Sequence, residues 1–291
     1  MTTASARPAT PAASGGYRGD LILFMTIAFG VSWASWAVAI GLGGPSVTPL
    51  AGQFHLFGAF GPLIGALVIR VRRGRRGRPA PEHSVRFRPA DLAWAPLLLV
   101  AASAIVLAAA FISHAAGGPA PSLDGALDVI AGFGGPATFL VGLIIGGPLA
   151  EEPGWRGTAY PRMRATQGRF LASLILGALW AVWHLPLFFI GGTVQNSLGA
   201  TTPSGVIFAA SSIPMAMLCC YAYERGGVLT SIAVHVATNA TMVLLDVQQP
   251  VTLALIMGIQ AVAAAALLAT TRPANRPTAA TTSPLDSART H

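Results

Sequence analysis

Apolar residues in this chain come in long runs, with polar residues gathered into short intervals between them. The runs at 21–42, 50–71, 91–113, 129–149, 170–191, 204–224, 227–246 and 250–270 each approach the roughly 20 residues a helix needs to cross a bilayer. This pattern predicts an all-α fold, a polytopic membrane helical bundle of about eight transmembrane helices. The fourth run continues into Pro148, Glu151, Glu152, Pro153 and Arg156, which lipid does not tolerate unless protein surrounds them. The chain therefore divides into a disordered tail at 1–18, membrane helices over 19–128, a second membrane unit at 129–246 holding the polar interruptions, a last helix at 247–271, and a disordered tail at 272–291.

Composition agrees with a lipid environment. Hydrophobic residues make up 53% of the 291 positions and charged residues 10%, against about a quarter charged in an ordinary globular domain. This excludes a soluble enzyme and a chain disordered throughout. The 18 basic residues are all Arg, and the basic balance would suggest nucleic acid. Eight of them, however, lie between Arg70 and Arg88 in one inter-helix loop, the place for positive-inside charge, so no nucleic-acid partner is expected.

The remaining Arg clusters fall on the same side: Arg7 and Arg18, Arg162 to Arg169, Arg225, then Arg272 and Arg276. The connections at 43–49, 114–128, 192–203 and 247–249 carry no Arg, only Asp124 and Asp128. Both termini are thus expected in the cytoplasm, with the protein integral and multi-pass in a bacterial plasma membrane. No removable signal segment is expected after Met1. Cys219 and Cys220 are adjacent in an apolar run and match no zinc or redox spacing.

Ionisable groups inside spans are costly and mark function by default. They are few here: Glu151, Glu152 and Arg156, then His184, then His235 with Asn239. Glu152 and Arg156 stand four apart, the favourable order for an ion pair, so Glu152 is expected to be neutralised. Glu151 lies about 100° further round the helix and faces a cavity. Trp180 and His184 share a face, as do His235 and Asn239. Counting ~1.5 Å per residue places Glu151, His184, His235 and Asn239 about 15–22 Å from the loop residues Arg164, Arg169 and Arg225, all at mid-depth. A carboxylate, two imidazoles and a carboxamide on three helices form a hydrolytic inventory: a base for water, a proton carrier and oxyanion donors. His55 and His114 have no partner at a useful spacing and read as packing residues.

Together these residues resemble the intramembrane proteases related to the type II CAAX prenyl endopeptidase, the CPBP or Abi family. Its Glu-Glu-x-x-x-Arg resembles Glu151, Glu152 and Arg156; its Phe-x-x-x-His resembles Trp180 to His184; its His-x-x-x-Asn resembles His235 to Asn239. Trp180 stands where Phe is usual, and Trp155 likewise, changes expected to alter only local pocket shape. The likeness covers about residues 130–245, making 129–246 a CPBP-like catalytic domain. It implies that Glu151 activates water with help from His184, that His235 and Asn239 stabilise the oxyanion, and that Glu152, Arg156 and Trp180 support them.

No cofactor is expected, although Glu151, His184 and His235 are the His₂Glu set of a catalytic zinc site and zinc is the alternative. Against zinc, the chain lacks His-Glu-x-x-His. The implied partners are the bilayer and a membrane protein or peptide substrate, prenylated or not, and no pattern specifies an oligomeric state. A proton- or cation-coupled transporter, which also places Glu, His and Asn at the midplane, is the rival reading.

Overall fold

The computed structural model describes residues 12–86 and 89–270, and no strand occurs among them. The tail expected at 272–291 and residues 1–11 of the other lie outside the described residues. The first helix, α1 (Ala12–Gly41), begins inside the stretch expected as a tail. After it come α2 (Pro49–Ala59), α3 (Gly61–Arg75), a 3₁₀ turn at Pro89–Ala93 and α4 (Trp94–Ala115). The fourth apolar run is broken into α5 (Ala126–Gly132), α6 (Pro136–Ile145), α7 (Pro148–Gly154), a π turn at Trp155–Ala159 and α8 (Tyr160–Met163). Next are α9 (Arg169–Trp183), a 3₁₀ turn at Leu185–Phe189 and the short α10 (Val194–Leu198). The last three helices are α11 (Pro203–Gly226), α12 (Val228–Leu244) and α13 (Pro250–Thr270).

All eight expected runs are helical, but they are not eight equal rods. Five helices are long and apolar enough to cross a membrane, or seven if two bent pairs each count as one span. The pairs bend by 42° between α2 and α3 and by 77° between α5 and the helical stretch from Pro136 to Met163. The helix α12 has 17 residues, about 25 Å of rise, short of a ~30 Å hydrocarbon core. It packs instead against α4, α11 and α7.

Each break has a local chemical cause. Pro62 has no N–H to give the Gly58 carbonyl four residues earlier, and the Ser32 hydroxyl of α1 donates to that carbonyl at 2.6 Å. Ser35 and Trp36 similarly donate to the carbonyls of Phe54 and His55. In the fourth run, Pro153 and Gly154 precede the π turn, and the Thr158 hydroxyl donates to the Pro153 carbonyl at 3.0 Å. The helical path therefore runs on past Arg156, keeping Glu151 within the bundle.

Small residues let these broken segments come close. A Cβ on Gly61 would stand 2.2 Å from Ser32 Oγ, and one on Gly154 would stand 2.5 Å from the Pro62 carbonyl oxygen. Helix α3 is thus clamped between α1 and α7, the small-residue contact that membrane interiors favour. Around it Trp155 meets Phe24 and Trp183 edge to face, with centroids 5.4 and 5.7 Å away.

Arginine gathers at one end of the bundle and is partly tied down there. Buried Asp20 of α1 takes Arg73 at 2.7 Å and faces Arg162 at 3.5 Å. Near the end of α11, Glu224 accepts from the Tyr160 hydroxyl at 2.9 Å and pairs with Arg169 and Arg164. Removing one partner of a buried pair leaves the other charge uncompensated, costing about 3–5 kcal/mol. Asp20→Asn is accordingly expected to lower the melting temperature of the detergent-solubilised protein sharply. Asp124→Asn, at an exposed site, should leave it unchanged.

Candidate active site

The four mid-depth polar residues meet in one place. Glu151, His184, His235 and Asn239 all line a single cavity of about 480 Å³, together with Trp180. Its polar floor lies at α7, α9 and α12. Apolar walls come from Leu56, Phe133, Leu143, Phe208 and Met242, among others.

Glu151 reaches the cavity because α7 starts anew after Gly146 and Gly147, turning its first carboxylate to the cavity while Glu152 turns to Arg156 and α12. The Glu151 side chain is 5% exposed at the residue level. Its Oε2 accepts the Trp180 indole N–H at 2.7 Å and lies 3.9 Å from His184 Nε2. The exchange of Phe for Trp at 180 therefore does more than reshape the pocket. It gives this chain a hydrogen-bond donor on the carboxylate, which a phenyl ring lacks.

His184 ends α9, and its Nδ1 bonds the Trp180 carbonyl at 2.8 Å. A carbonyl only accepts, so Nδ1 carries the proton and the Nε2 lone pair is left toward Glu151. The Trp180 ring stands edge-on to both imidazoles, 4.8 Å from His184 and 5.2 Å from His235. The buttressing expected from the four-residue spacing is present, and it extends to the second imidazole as well.

Glu152 is fully buried and holds three partners. Arg156 Nη1 donates to Oε1 at 2.8 Å, His235 Nδ1 bonds the same oxygen at 2.8 Å, and the Ser231 hydroxyl donates to Oε2. The pair with Arg156 matches the expectation, while the bonds to His235 and Ser231 join the support residues to the site itself. With Nδ1 fixed on a carboxylate, His235 turns Nε2 to the cavity. The Asn239 carboxamide, one turn on, makes no hydrogen bond among the described residues.

Four further residues at the cavity were not singled out from the sequence. His55, expected to be a packing residue, lines the wall, as do Thr238, Ser212 and Gln260. Gln260 sits in the middle of the last apolar run and is 2% exposed. A neutral amide in a membrane helix was a visible signal, hidden only because charge was the criterion. Ser231 had a signal too, since 231, 235 and 239 repeat every four residues. His114, expected to be a packing residue, is instead exposed at the end of α4, where it bonds the Gly118 carbonyl.

As the side chains stand, no group of three His, Cys, Asp or Glu among the described residues is placed to hold a metal ion. Glu151 Oε2 accepts an indole N–H, while the Nδ1 bonds of His184 and His235 leave each Nε2 toward the cavity, an orientation that a ligating imidazole also takes. Cys219 and Cys220 are free, buried and away from the cavity lining.

Two comparisons with known proteins bear on this cavity. Residues 133–241 match the family model described as type II CAAX prenyl endopeptidase Rce1-like. The chain is also 29% identical over 102 residues to CAAX prenyl protease 2 of Methanococcus maripaludis, covering 34% of this chain and 38% of the relative. The chain thus spans well under half the length of that curated relative. Both similarities bear out the resemblance carried by the three motifs, and the family that residues 133–241 match is that of the CPBP, type II CAAX prenyl endopeptidases.

Proposed function

We propose that this protein is an intramembrane endopeptidase that hydrolyses a peptide bond of a membrane-associated protein or peptide, with Glu151 as general base. The observation that carries the reading is the convergence of Glu151, His184, His235 and Asn239 on one largely apolar cavity. The gap of 3.9 Å between Glu151 Oε2 and His184 Nε2 suits a water hydrogen-bonded to both. Glu151 takes a proton from that water as its oxygen bonds to the substrate carbonyl carbon. The carbonyl π pair moves onto oxygen, where the Asn239 amide donates to it and His235, its Nδ1 held by Glu152, faces it with Nε2. On collapse the C–N bond breaks, and the leaving nitrogen takes the proton from Glu151. Preorganised donors in a site poor in water stabilise such an oxyanion far better than they would in bulk.

A carboxylate held away from water is the better base at neutral pH, and the mechanism is proposed without a metal because no three donors are grouped to hold one among the described residues. Apolar walls fit a hydrophobic substrate, and the name of the archaeal relative makes a prenylated carboxyl terminus the first substrate class to test. The Arg-bearing end of the bundle is assigned to the cytoplasm. Transport by the same cluster draws no support from the comparisons.

General acid–base groups contribute about 10²–10⁴-fold. Proteomic comparison of membranes containing the wild-type protein or Glu151→Gln should show cleaved species that vanish with the variant. Products identical in both would remove Glu151 from the role of base. In reconstituted protein, a farnesylated peptide and its unmodified counterpart distinguish a prenyl substrate from a general one.

Protein stripped with a strong chelator is expected to keep its activity, whereas activity restored by zinc alone would reverse the metal-free assignment. Trp180→Phe keeps the ring edge on both imidazoles and loses one hydrogen bond to a charged group, worth about 1.5–3 kcal/mol, so its rate should fall by no more than about a hundredfold. Trp180→Ala removes the support of both rings, and should lower kcat much further without a matching change in KM.

A further inference from the structure

A second cavity, of about 620 Å³, lies at the Arg-bearing end, between α3, the segment 78–86 and the outer face of the π turn and α8. Five Arg side chains line it: Arg70, Arg73, Arg78, Arg86 and Arg162. No Asp or Glu is among its lining residues. Outside the lining, the Asp20 carboxylate takes Arg73 at 2.7 Å and Arg162 at 3.5 Å. Asp20 thus serves two of the five guanidinium groups, and Arg86 has a partner of its own. Arg70 and Arg78 have neither an ion pair nor a hydrogen bond among the described residues.

The rest of the lining is apolar. Leu63, Ala66, Leu67 and Ile69 of α3 and Val228 of α12 continue the cavity from the Arg cluster along the bundle, and Leu67 is exposed on the outside of α3. A soluble anion would gain nothing from that wall. A molecule with a phosphate at one end and an acyl chain at the other would use both parts. Guanidinium groups bind phosphate through paired N–H donors, and basic pockets between helices at the membrane surface suit anionic headgroups.

We propose that this cavity binds one anionic phospholipid, its phosphate held by Arg70, Arg78 and the Asp20-anchored Arg73, and its first acyl carbons lying on Leu63, Leu67 and Val228. The bound lipid would rest against Pro153, Gly157 and Thr158, the reverse side of the segment that carries Glu151 and Glu152. The site is independent of the peptidase reading, since none of its Arg residues reaches the first cavity.

The test uses the full chain purified in a neutral detergent and titrated with phosphatidylglycerol, phosphatidylcholine or inorganic phosphate. Bound lipid is read by native mass spectrometry and by the rise in melting temperature. Phosphatidylglycerol is expected to bind at a ratio of one and at least tenfold more tightly than phosphatidylcholine. The double variant Arg70→Gln/Arg78→Gln should weaken it tenfold or more. Arg75→Gln/Arg76→Gln, which removes two charges from the same helix end outside this cavity, should not. Equal loss in both double variants, equal affinity for the two lipids, or inorganic phosphate binding as tightly as phosphatidylglycerol would each overturn the proposal. Because Arg70 and Arg78 are exposed and unpaired within the described structure, their replacement leaves the Asp20 ion pairs intact, and an unchanged melting temperature without lipid verifies this.

Discussion

A carboxylate taken out of water must find charge and hydrogen bonds inside the protein, and Glu152 is where this chain meets that demand most fully. Its two oxygens accept from Arg156, His235 and Ser231, which lie on two separate segments. Uncompensated burial of such a group would cost several kcal/mol. The network therefore fixes how α7 and the π turn sit against α12, and with them the direction of the neighbouring carboxylate. Glu151 can face the cavity because Glu152 faces the protein. The same bond that satisfies Glu152 orients the His235 ring, so stability and the geometry of the site rest on one set of atoms.

Broken helices make this arrangement attainable. Adjacent carboxylates lie about 100° apart on any helix, and the interruptions at Gly146, Gly147 and Pro153 give α7 its own direction, so that this angle falls between the cavity and the protein interior. Carbonyls at the two breaks are taken up by Ser32 and Thr158, as non-helical backbone within a membrane protein requires. Close contacts at Gly61 and Gly154 draw α1, α3 and α7 together, so the segment that carries Glu151 is held on the side away from the cavity by backbone packing. That same outer side forms a wall of the Arg-lined cavity, and a ligand there would touch the back of the segment whose front carries Glu151.

Much of this was legible in the order of the residues. The apolar runs gave the helices, and helical spacing alone separated the roles of Glu151 and Glu152. The four-residue steps from Trp180 to His184 and from His235 to Asn239 placed each pair on one face. His55, Ser231 and Gln260 were less visible, because one helix presents a residue to a cavity that several others enclose. The indole bond from Trp180 to Glu151 was hidden for a similar reason: spacing along α9 says nothing of what stands across from it on α7.

The sequence by itself determined that the chain is a helical membrane protein, with the Arg clusters of its connections on one side of the runs and a handful of polar groups at mid-depth. Those features follow from local periodicity and from the cost of charge in lipid, which act residue by residue. Only the tertiary structure decided that the polar groups share one cavity, that Glu152 bridges Arg156 and His235, that one of the expected spans is a short helix packed among its neighbours, and that five Arg side chains surround a second hollow. Each of these depends on distances between segments far apart in the chain, set by glycine contacts and helix breaks that no single helix's pattern encodes.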